Sequence, residues 1–533
     1  MRRPPLPAVF ADVFDDRVAR QALLVGSVAL VAAALDPRIW GPALPNVQAA
    51  IRERPAAETI VVLSSIAGAA LLLLGGAIGD TARMRPIILG GLLVELLASV
   101  AGLVIAAGPV FIVTRFVGHA AAAFVIPVSL ALVATSYHGI ARATAIGLAY
   151  GAYGAAGGAA PILLQIVPGQ PAPAFLVAIV VCALAIWLAR PRLPDLPRPD
   201  TAERPYVVGT AVWAFGVIAI TIGVTWIGDR NDNRVRLGLI LLGAAVLGLA
   251  LWHDRRRSRS RTNPVTIERR PVAVAVFVGI VIAIAQTAPM LQLPLYFRFV
   301  QGYGPVLAMV AVVPLFGALV VAGPVAGMLL GRFAPRTLVG FGVIAVGLAD
   351  ALLWLVATPS SGYLAFVVPC LLVGAGFVIA TTVRTAIIFA SVPRGLPATA
   401  AALNESSLAA GNRVGIVLVT AIVAQVALAT FTASVASLPV DEAQRAIAAF
   451  QSVLTAIGTP DFNQIASGVS PGDVQPYLDA YVAGIRAAFG LGAVIALVGG
   501  AIAWLALGRQ DPLSTVWEHR DERDAGPAAP IAS

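Results

Sequence analysis

Long apolar runs alternate with short polar segments along almost the whole chain. Many of these runs hold about 20 residues, the length that an α-helix needs to cross the hydrocarbon core of a membrane. The pattern therefore predicts an all-α polytopic membrane protein with fourteen spans and both termini on one side. We place the spans at residues 21–45, 58–79, 86–107, 109–134, 141–167, 172–190, 205–228, 235–253, 271–297, 305–331, 337–357, 362–390, 403–427 and 484–508.

Composition narrows the class of protein further. The sequence is 59% hydrophobic and 12% charged, whereas a soluble protein carries roughly 25% charged residues. Every basic residue is arginine, so there is neither a phosphate-loop lysine nor a Schiff-base lysine. The two cysteines, Cys182 and Cys370, lie inside apolar runs and indicate neither a disulfide framework nor a metal cluster. We therefore expect a protein that is not an enzyme and needs no cofactor.

The distribution of arginine predicts the orientation of the chain. Arginines collect in the loops on one side of the predicted membrane, most densely in the run HDRRRSRSR at 253–261. Since arginine-rich loops face the cytoplasm, we expect both termini, residues 1–20 and 509–533, to lie inside a bacterial cytoplasmic membrane. The basic loop 254–270 is a topology signal or a contact for membrane lipids. The net charge of +9 therefore does not indicate a nucleic-acid partner.

A short pattern recurs in the two halves of the chain. GAIGDTARMRP, residues 76–86, follows the second span, and GMLLGRFAPR, residues 327–336, follows the tenth. Each begins with glycine at the end of a span and carries two arginines into an inner loop. The spacing predicts two six-helix bundles, residues 21–193 and 271–508, with a two-helix insert at 205–253. The predicted inner gate comprises Gly76, Asp80, Arg83 and Arg85 in the first bundle and Gly327, Arg332 and Arg336 in the second.

Three further segments carry a family resemblance. LDPRIWGPALP lies at 35–45, RFVGHAAAAFVIP at 115–127, and LPLYFRFVQGYGPVLAMVAVVP begins at residue 293. With the loop pattern at 76–86, the chain resembles the major facilitator superfamily, specifically the fourteen-span drug/proton antiporters of EmrB/QacA type. The resemblance implies alternating access between two bundles and export of lipophilic or cationic compounds, driven by the proton gradient. We expect a monomer.

One departure from the family pattern concerns the fifth span. The family motif ends in G-P-x-x-G-G, whereas this chain has Ala160-Pro161 and Leu164-Gln165 at the corresponding places. Glycines at a helix interface allow close approach. Gly154, Gly157 and Gly158 remain, so we still expect tight packing. The altered motif motivates an alternative, an exporter of lipids or cell-envelope precursors without strict proton exchange.

Ionisable residues inside the spans are candidates for proton coupling, because each costs about 2.5–3.5 kcal/mol to insert. Our candidates are Asp36, Glu405 and Arg115. Pro37 predicts that the first span is kinked or broken at Asp36, which would place Asp36 and Arg38 in a wet cavity. In the alternative interpretation, the span ends early and Asp36 begins an outer loop. The resemblance implies that Arg115 lies near Asp36 and modulates its proton affinity.

Glu405 lies in the thirteenth span, close to its predicted inner end. Eight residues separate it from Arg413, or about 12 Å along a helix, so these two side chains cannot pair directly. We assign Glu405 to a cavity or a gate, and expect Glu95 and Asp350 to be structural. The remaining cavity candidates are Arg38, His119, Tyr150, Tyr153, Gln165, Gln286, Asn404 and Arg413.

The longest predicted outer loop covers residues 428–483. Within it, DEAQRAIAAFQSVLTAI places Ile447, Phe450, Leu454 and Ile457 at helical spacing, which indicates an amphipathic helix. We expect this helix to form a cap over the outer mouth. A transport-inactive scaffold or sensor, with this loop as its binding surface, remains a second alternative.

Overall fold

The computed structural model describes residues 13–51, 68, 71–105, 108–164, 172–193, 212, 215–216, 219, 233–257, 269–393, 395–456 and 474–507. All regular structure within these ranges is helical, so the all-α prediction is confirmed. Ten helices in this part of the chain are long and apolar enough to cross a membrane. The count of fourteen and the domain boundaries stay predictions, since the predicted spans 58–79 and 205–228 lie largely outside the described residues.

The described helices form two groups. The first contains α1 (Arg17–Ile51), α2 (residues 71–79), α3 (Met84–Val104), α4 (Gly108–Thr135), α5 (Gly139–Leu164) and α6 (Ala172–Arg192). Helix α7 (Asn233–Arg257) follows it. The second group contains α8 (Arg269–Leu295), α9 (Pro305–Val310), α10 (Val313–Leu329), α11 (Pro335–Val356), α12 (Leu364–Ser391), α13 (Pro397–Ser434) and α15 (Val474–Leu507). Between the last two lies α14 (Val440–Ala456).

Helix α1 contradicts the predicted break in the first span. The helix continues without interruption from Arg17 to Ile51, through Asp36 and Pro37. A proline removes one backbone donor, but transmembrane helices tolerate this where neighbouring groups satisfy the freed carbonyl. The alternative, in which the span ends early and an outer loop begins at Asp36, is wrong because the helix continues through this position.

The two groups meet along α5 and α10. Gly147 of α5 and Gly323 of α10 face each other so closely that a Cβ on Gly147 would overlap the Gly323 carbonyl. Further along the same contact, Gly154 packs against Leu319 and Gly158 against Phe316. Close approach of this kind needs small residues in both helices. The tight packing that we expected for the fifth span, despite its altered motif, is therefore confirmed.

The described residues of the predicted outer loop 428–483, which exclude 457–473, are mostly helical. With 38 and 34 residues, α13 and α15 are about 57 and 51 Å long, well beyond the roughly 30 Å of hydrocarbon. Their extensions pack against α14 through Phe431, Phe450 and Tyr477. The ring centroids of Phe431 and Phe450 are 4.4 Å apart, and Tyr477 lies 4.9–5.0 Å from both. The amphipathic helix is confirmed over Val440–Ala456, with Ile457 outside the described residues, and the loop bounds 428–483 stay a prediction.

Candidate functional site

Polar side chains cluster where α5 meets α12 and α13. Tyr150 comes from the first helix group, and Arg384, Asn404, Glu405 and Ser407 come from the second. All five are buried, with Arg384 and Asn404 fully inaccessible and Glu405 7% exposed. We call these five residues the polar cluster. It joins the two helix groups across an otherwise apolar contact.

Hydrogen bonds within the polar cluster converge on the carboxyl of Glu405. The Tyr150 hydroxyl donates to Glu405 Oε1 at 2.5 Å, and Asn404 Nδ2 donates to the same oxygen at 3.0 Å. Asn404 Nδ2 also donates to the Tyr150 oxygen at 2.5 Å. A carboxyl oxygen has two lone pairs and accepts both bonds, so Glu405 is tied to Tyr150 of the other helix group and to its own neighbour Asn404.

Arg384 supplies the positive charge of the polar cluster. Its guanidinium donates to Ser407 Oγ at 2.8 Å and to the Asn404 carbonyl at 3.1 Å. Gly279 of α8 leaves the space for it, since a Cβ there would lie 2.8 Å from Arg384 Cζ. A buried cation is tolerated when an anion and hydrogen-bond acceptors lie nearby. Arg384 and Glu405, connected through Asn404, therefore form a unit with little net charge.

The polar cluster lies close to a second contact between the helix groups. In the turn after α2, Asp80 Oδ1 accepts a hydrogen bond from the Ala398 backbone N–H at 2.6 Å, and Oδ2 accepts one from Thr399 at 2.9 Å. These donors belong to the first turn of α13, whose cap residue Leu396 makes no side-chain cap bond. Asp80 thus caps α13 from the other helix group. We call the end of the contact between the helix groups at which α2 ends and α13 begins the gate end.

Two glycines of α2 bring the backbones together at the gate end. A Cβ on Gly76 would lie 2.5 Å from Ala402 Cβ and 2.7 Å from the Ala398 carbonyl. A Cβ on Gly79 would lie 2.8 Å from Ala398 Cβ. Neither position has room for a side chain. The helix groups are therefore in direct contact here, about one turn of α13 before Glu405.

The environment of Asp80 shifts its protonation. Burial raises the pKa of Asp80 from its ordinary value of 3.8 to about 6, while the hydrogen bonds from Ala398 and Thr399 act in the opposite direction. The neighbouring Arg85 guanidinium donates to the Arg190 carbonyl at 3.0 Å, a contact within the first helix group. Arg83 is exposed and precedes α3.

Of the three gate residues predicted in the second half, one lies between the helix groups and two do not. Gly327 of α10 packs against Thr144 of α5, so it lies between the helix groups. Arg336 lies over the Trp504 ring at 5.4 Å, which places it within the second group and away from the contact. Arg332 is exposed at the end of α10.

The other candidates in the first helix group lie apart from the polar cluster. Arg115 is fully buried in α4, with its guanidinium 3.5 Å from Ser99 Oγ and 5.2 Å from the Phe175 ring centroid. His119 is also buried, and its Nδ1 lies 2.7 Å from the Arg115 carbonyl. The side chains of Asp36 and Arg38, and all of Gln165, lie outside the described part of the chain. The pairing of Asp36 with Arg115 therefore stays a prediction.

The remaining cavity candidates occupy separate positions. Tyr153 packs edge-on against Tyr150, with ring centroids 6.3 Å apart. Gln286 is buried in α8, and Arg413 is half-buried two turns along α13 from Glu405. Of the candidates that the sequence suggested, the structure thus brings Tyr150, Asn404 and Glu405 into direct contact.

Arg384 is the site residue that sequence reasoning passed over. It was visible as a base within a span, but nothing in the sequence relates it to Glu405, which lies on another helix. Ser407 and Thr385 are equally inconspicuous, although the Thr385 hydroxyl lies 2.9 Å from Asn404 Oδ1. A search for membrane bases with small polar residues on neighbouring spans would have found all three.

Two further buried acids lie away from the polar cluster. Asp350 of α11 is fully buried, and a Cβ on Gly492 of α15 would lie 3.2 Å from its Cγ. Glu95 of α3 is 1% exposed, one turn before Ser99. Among the described residues, no group of three or more His, Cys, Asp or Glu side chains could hold a metal ion.

Comparison with known proteins identifies the family to which the chain is similar. The sequence profile of the Major Facilitator Superfamily matches residues 26–416. The puromycin resistance protein of Streptomyces alboniger is 28% identical over 350 residues, which cover 62% of this chain and 67% of that protein. The tetracycline resistance determinant of Streptomyces rimosus is 26% identical over 340 residues, covering 60% of this chain and 96% of that protein.

A solved structure shows the same fold. The crystal structure of the human organic anion transporter MFSD10 (TETRAN) aligns with a TM-score of 0.55, covering 91% of this chain and 99% of that one. The two sequences are 13% identical in the alignment. At that identity the likeness concerns the arrangement of helices and carries nothing about substrates.

Proposed function

The chain belongs to the Major Facilitator Superfamily, and from this premise we propose that it exports amphipathic or cationic small molecules from the bacterial cytoplasm in exchange for protons. It is a multi-pass membrane transporter. The names of the two Streptomyces relatives concern antibiotic resistance, which supports drug-like cargo. We further propose a monomer in the cytoplasmic membrane, with both termini in the cytoplasm and the proton gradient as energy source.

The polar cluster is the observation that carries this proposal. A carboxyl with 7% exposure is held between two helix groups that must separate and rejoin during alternating access. The Tyr150 hydroxyl that contacts this carboxyl belongs to the other helix group, so the contact is lost when the groups separate, whereas Arg384 stays in the same group as Glu405. A group whose proton affinity depends on conformation is what coupling requires. Glu405 is therefore the proposed proton carrier.

The contacts at the gate end define the conformation of this structure. Asp80, Gly76 and Gly79 close one end of the contact between the helix groups. Export needs these contacts to break once in each cycle, so that substrate enters from that side. The alternative cargo of lipids or cell-envelope precursors rests on the altered motif in the fifth span, and the transport test below distinguishes it from drug export.

The test is transport by the purified protein in proteoliposomes. We expect an imposed proton gradient to drive the movement of cationic dyes or lipophilic drugs, with matching proton flux. Glu405→Gln should abolish the flux, Asp36→Asn tests the second candidate, and Asp479→Asn, which neutralises an exposed acid, is the matched control. Dye movement without proton movement would refute antiport. Folded protein that moves nothing in the panel would refute the drug-exporter assignment.

A further inference from the structure

We infer that the Tyr150 hydroxyl is a latch between the two helix groups, and that the latch holds while Glu405 is ionised and weakens when Glu405 takes up a proton. The inference rests on the proposed function, because it assigns a part to Tyr150 in the proton exchange at Glu405. Tyr150 is a positioning residue in this scheme. It contributes no proton and acts through the carboxyl that it contacts.

The first step concerns where the latch lies. Glu405 is eight residues from the start of α13 and Tyr150 eleven from the start of α5, or about 12 and 16 Å from the gate end. Ala402, which precedes Glu405 by about one turn of α13, contacts Gly76. Along α13, the Tyr150–Glu405 bond is thus the next link between the helix groups after the gate contacts. Opening of the gate end must break it.

The second step concerns the strength of the bond. A hydroxyl that donates to a carboxylate forms a charge-assisted hydrogen bond, which is roughly twice as strong as a bond to a neutral acid. When the carboxylate binds a proton, Glu405 becomes a neutral acid and Tyr150 keeps its own hydrogen. The bond then loses its ionic character. Asn404 Nδ2, which donates to both oxygens, loses part of its attraction at the same time.

The third step concerns Arg384. While Glu405 is ionised, the acid offsets the charge of this fully buried guanidinium. Protonation leaves the cation without an anion in a low-dielectric setting, which is costly. Separation of the helix groups lets water reach the guanidinium and relieves that cost. Proton uptake therefore weakens the closed state in two ways, through the weaker latch and through the unbalanced charge.

Other charged groups near α13 do not reproduce this behaviour. Arg115 and His119 lie on α4, 20 and 16 residues from its gate end, which is about 30 and 24 Å along the helix. Arg270 of α8 donates to the Ala506 carbonyl, and Arg486 of α15 donates to the Trp354 carbonyl, so both contacts lie within the second group. Asp80 does titrate at the gate, but the wild-type protein and the variants below all contain it. Its contribution to the pH dependence of gate closure therefore cancels in any comparison between them.

The experiment measures how far the gate end is closed as a function of pH, without substrate. Spin labels are attached at Ala82→Cys and Gly395→Cys, on opposite sides of the gate, and not at the buried Cys182 and Cys370. Double electron–electron resonance between the two labels then reports the closed-to-open ratio between pH 4 and 9. We compare the wild type with Tyr150→Phe and Glu405→Gln. Tyr481→Phe is the matched control, because its hydroxyl is buried and contacts Gln292 within the second group.

At pH 9 we expect the closed-to-open ratio to be about tenfold lower in Tyr150→Phe than in the wild type, the effect of losing a charge-assisted hydrogen bond. In Glu405→Gln the ratio should be at least as low, because this change also leaves Arg384 without its anion. The difference should shrink as the pH falls and Glu405 of the wild type takes up a proton. Tyr481→Phe should follow the wild type throughout. A difference for Tyr150→Phe that is absent, or equal at every pH, would overturn the latch, since a purely structural role has no reason to vary with pH.

This outcome is separable from the failure of the proposed function. If drug-driven proton flux depends on Glu405 while Tyr150→Phe leaves the ratio unchanged, the antiport assignment stands and the latch is refuted. If the ratio behaves as expected but no proton flux accompanies transport, the latch stands and antiport is refuted.

Discussion

Replacement of Asp80 by alanine tests whether a single carboxyl holds the gate end closed. In the closed state, Asp80 accepts hydrogen bonds from the N–H groups of Ala398 and Thr399, at 2.6 and 2.9 Å. Asp80→Ala leaves both donors unsatisfied, and Ala398 is fully buried. The loss of a helix cap costs about 0.5–2 kcal/mol, and a buried unsatisfied donor costs about 1–3 kcal/mol. These costs arise in the closed state, because water satisfies both donors once the gate opens.

We therefore expect Asp80→Ala to destabilise the closed state by about 1–3 kcal/mol, which lowers the closed-to-open ratio about fivefold to 150-fold. The spin-label pair at residues 82 and 395 measures this ratio. Thr81→Val is the matched control, since the Thr81 hydroxyl donates to the Ile78 carbonyl within the first helix group. A closed population that is unchanged or larger in Asp80→Ala would refute the reasoning, because the desolvation of Asp80 would then outweigh its hydrogen bonds.

The same carboxyl predicts a pH effect of definite sign. The pKa of Asp80 is raised to about 6 in the closed state, mainly by burial, and returns toward 3.8 when the gate opens into water. The closed state thus binds this proton more tightly, so its stabilisation is complete below pH 3.8 and lost as the pH rises through 6. Asp80→Ala should lack this contribution. A comparison of its pH profile with that of the wild type, by the same distance measurement, shows whether the sign is right.

Three other substitutions give measurable expectations. Arg384→Leu leaves Glu405 as an unbalanced buried acid and should lower the free energy of unfolding by about 3–5 kcal/mol. The double variant Arg384→Leu/Glu405→Leu should recover much of this loss, and thermal unfolding in detergent measures both variants. If the double variant were as destabilised as Arg384→Leu alone, the two residues would not form a charge-balanced unit. Gly76→Val should abolish transport because Ala402 leaves no space, whereas Gly90→Val, with nothing within 4 Å, should not; equal transport rates would contradict the close approach. Phe450→Ala should destabilise the packing of α14 against α13 and α15 by about 3–5 kcal/mol, seen as faster proteolysis of α14, and unchanged cleavage would contradict the contribution of these aromatic contacts.

Much of the fold was accessible from the sequence because its signals are local. Runs of apolar residues indicated the spans, and the helical spacing of Ile447, Phe450 and Leu454 was sufficient to predict α14. Membership of the superfamily, expected from the motif resemblance, is confirmed by the match over residues 26–416. The failures concern helix ends and continuity. Proline chemistry predicted a break at Asp36, but a membrane helix takes its support from its neighbours, which the sequence alone does not reveal.

The site was less accessible, since its contacts join residues far apart in the chain. Asp80 and Ala398 are 318 residues apart, and Leu396 at the cap position of α13 indicated only that some other group must satisfy that helix end. Glu405 was expected in a cavity or a gate, and Tyr150 in a cavity. Their direct contact, and the position of Arg384 beside them, depend on how three helices pack.

Helix α13 carries two of the links between the helix groups. Asp80 holds its first turn, and Tyr150 holds Glu405 about 12 Å further along. Because a helix moves as a stiff unit, the gate end opens only when both links break, and their free energies add. Their protons act in opposite directions: protonation of Asp80 favours the closed state, whereas protonation of Glu405 weakens the latch. The pH at which the gate opens is therefore set by the difference between the two. On this reasoning, removal of the Asp80 carboxyl should make gate opening depend more steeply on the proton at Glu405.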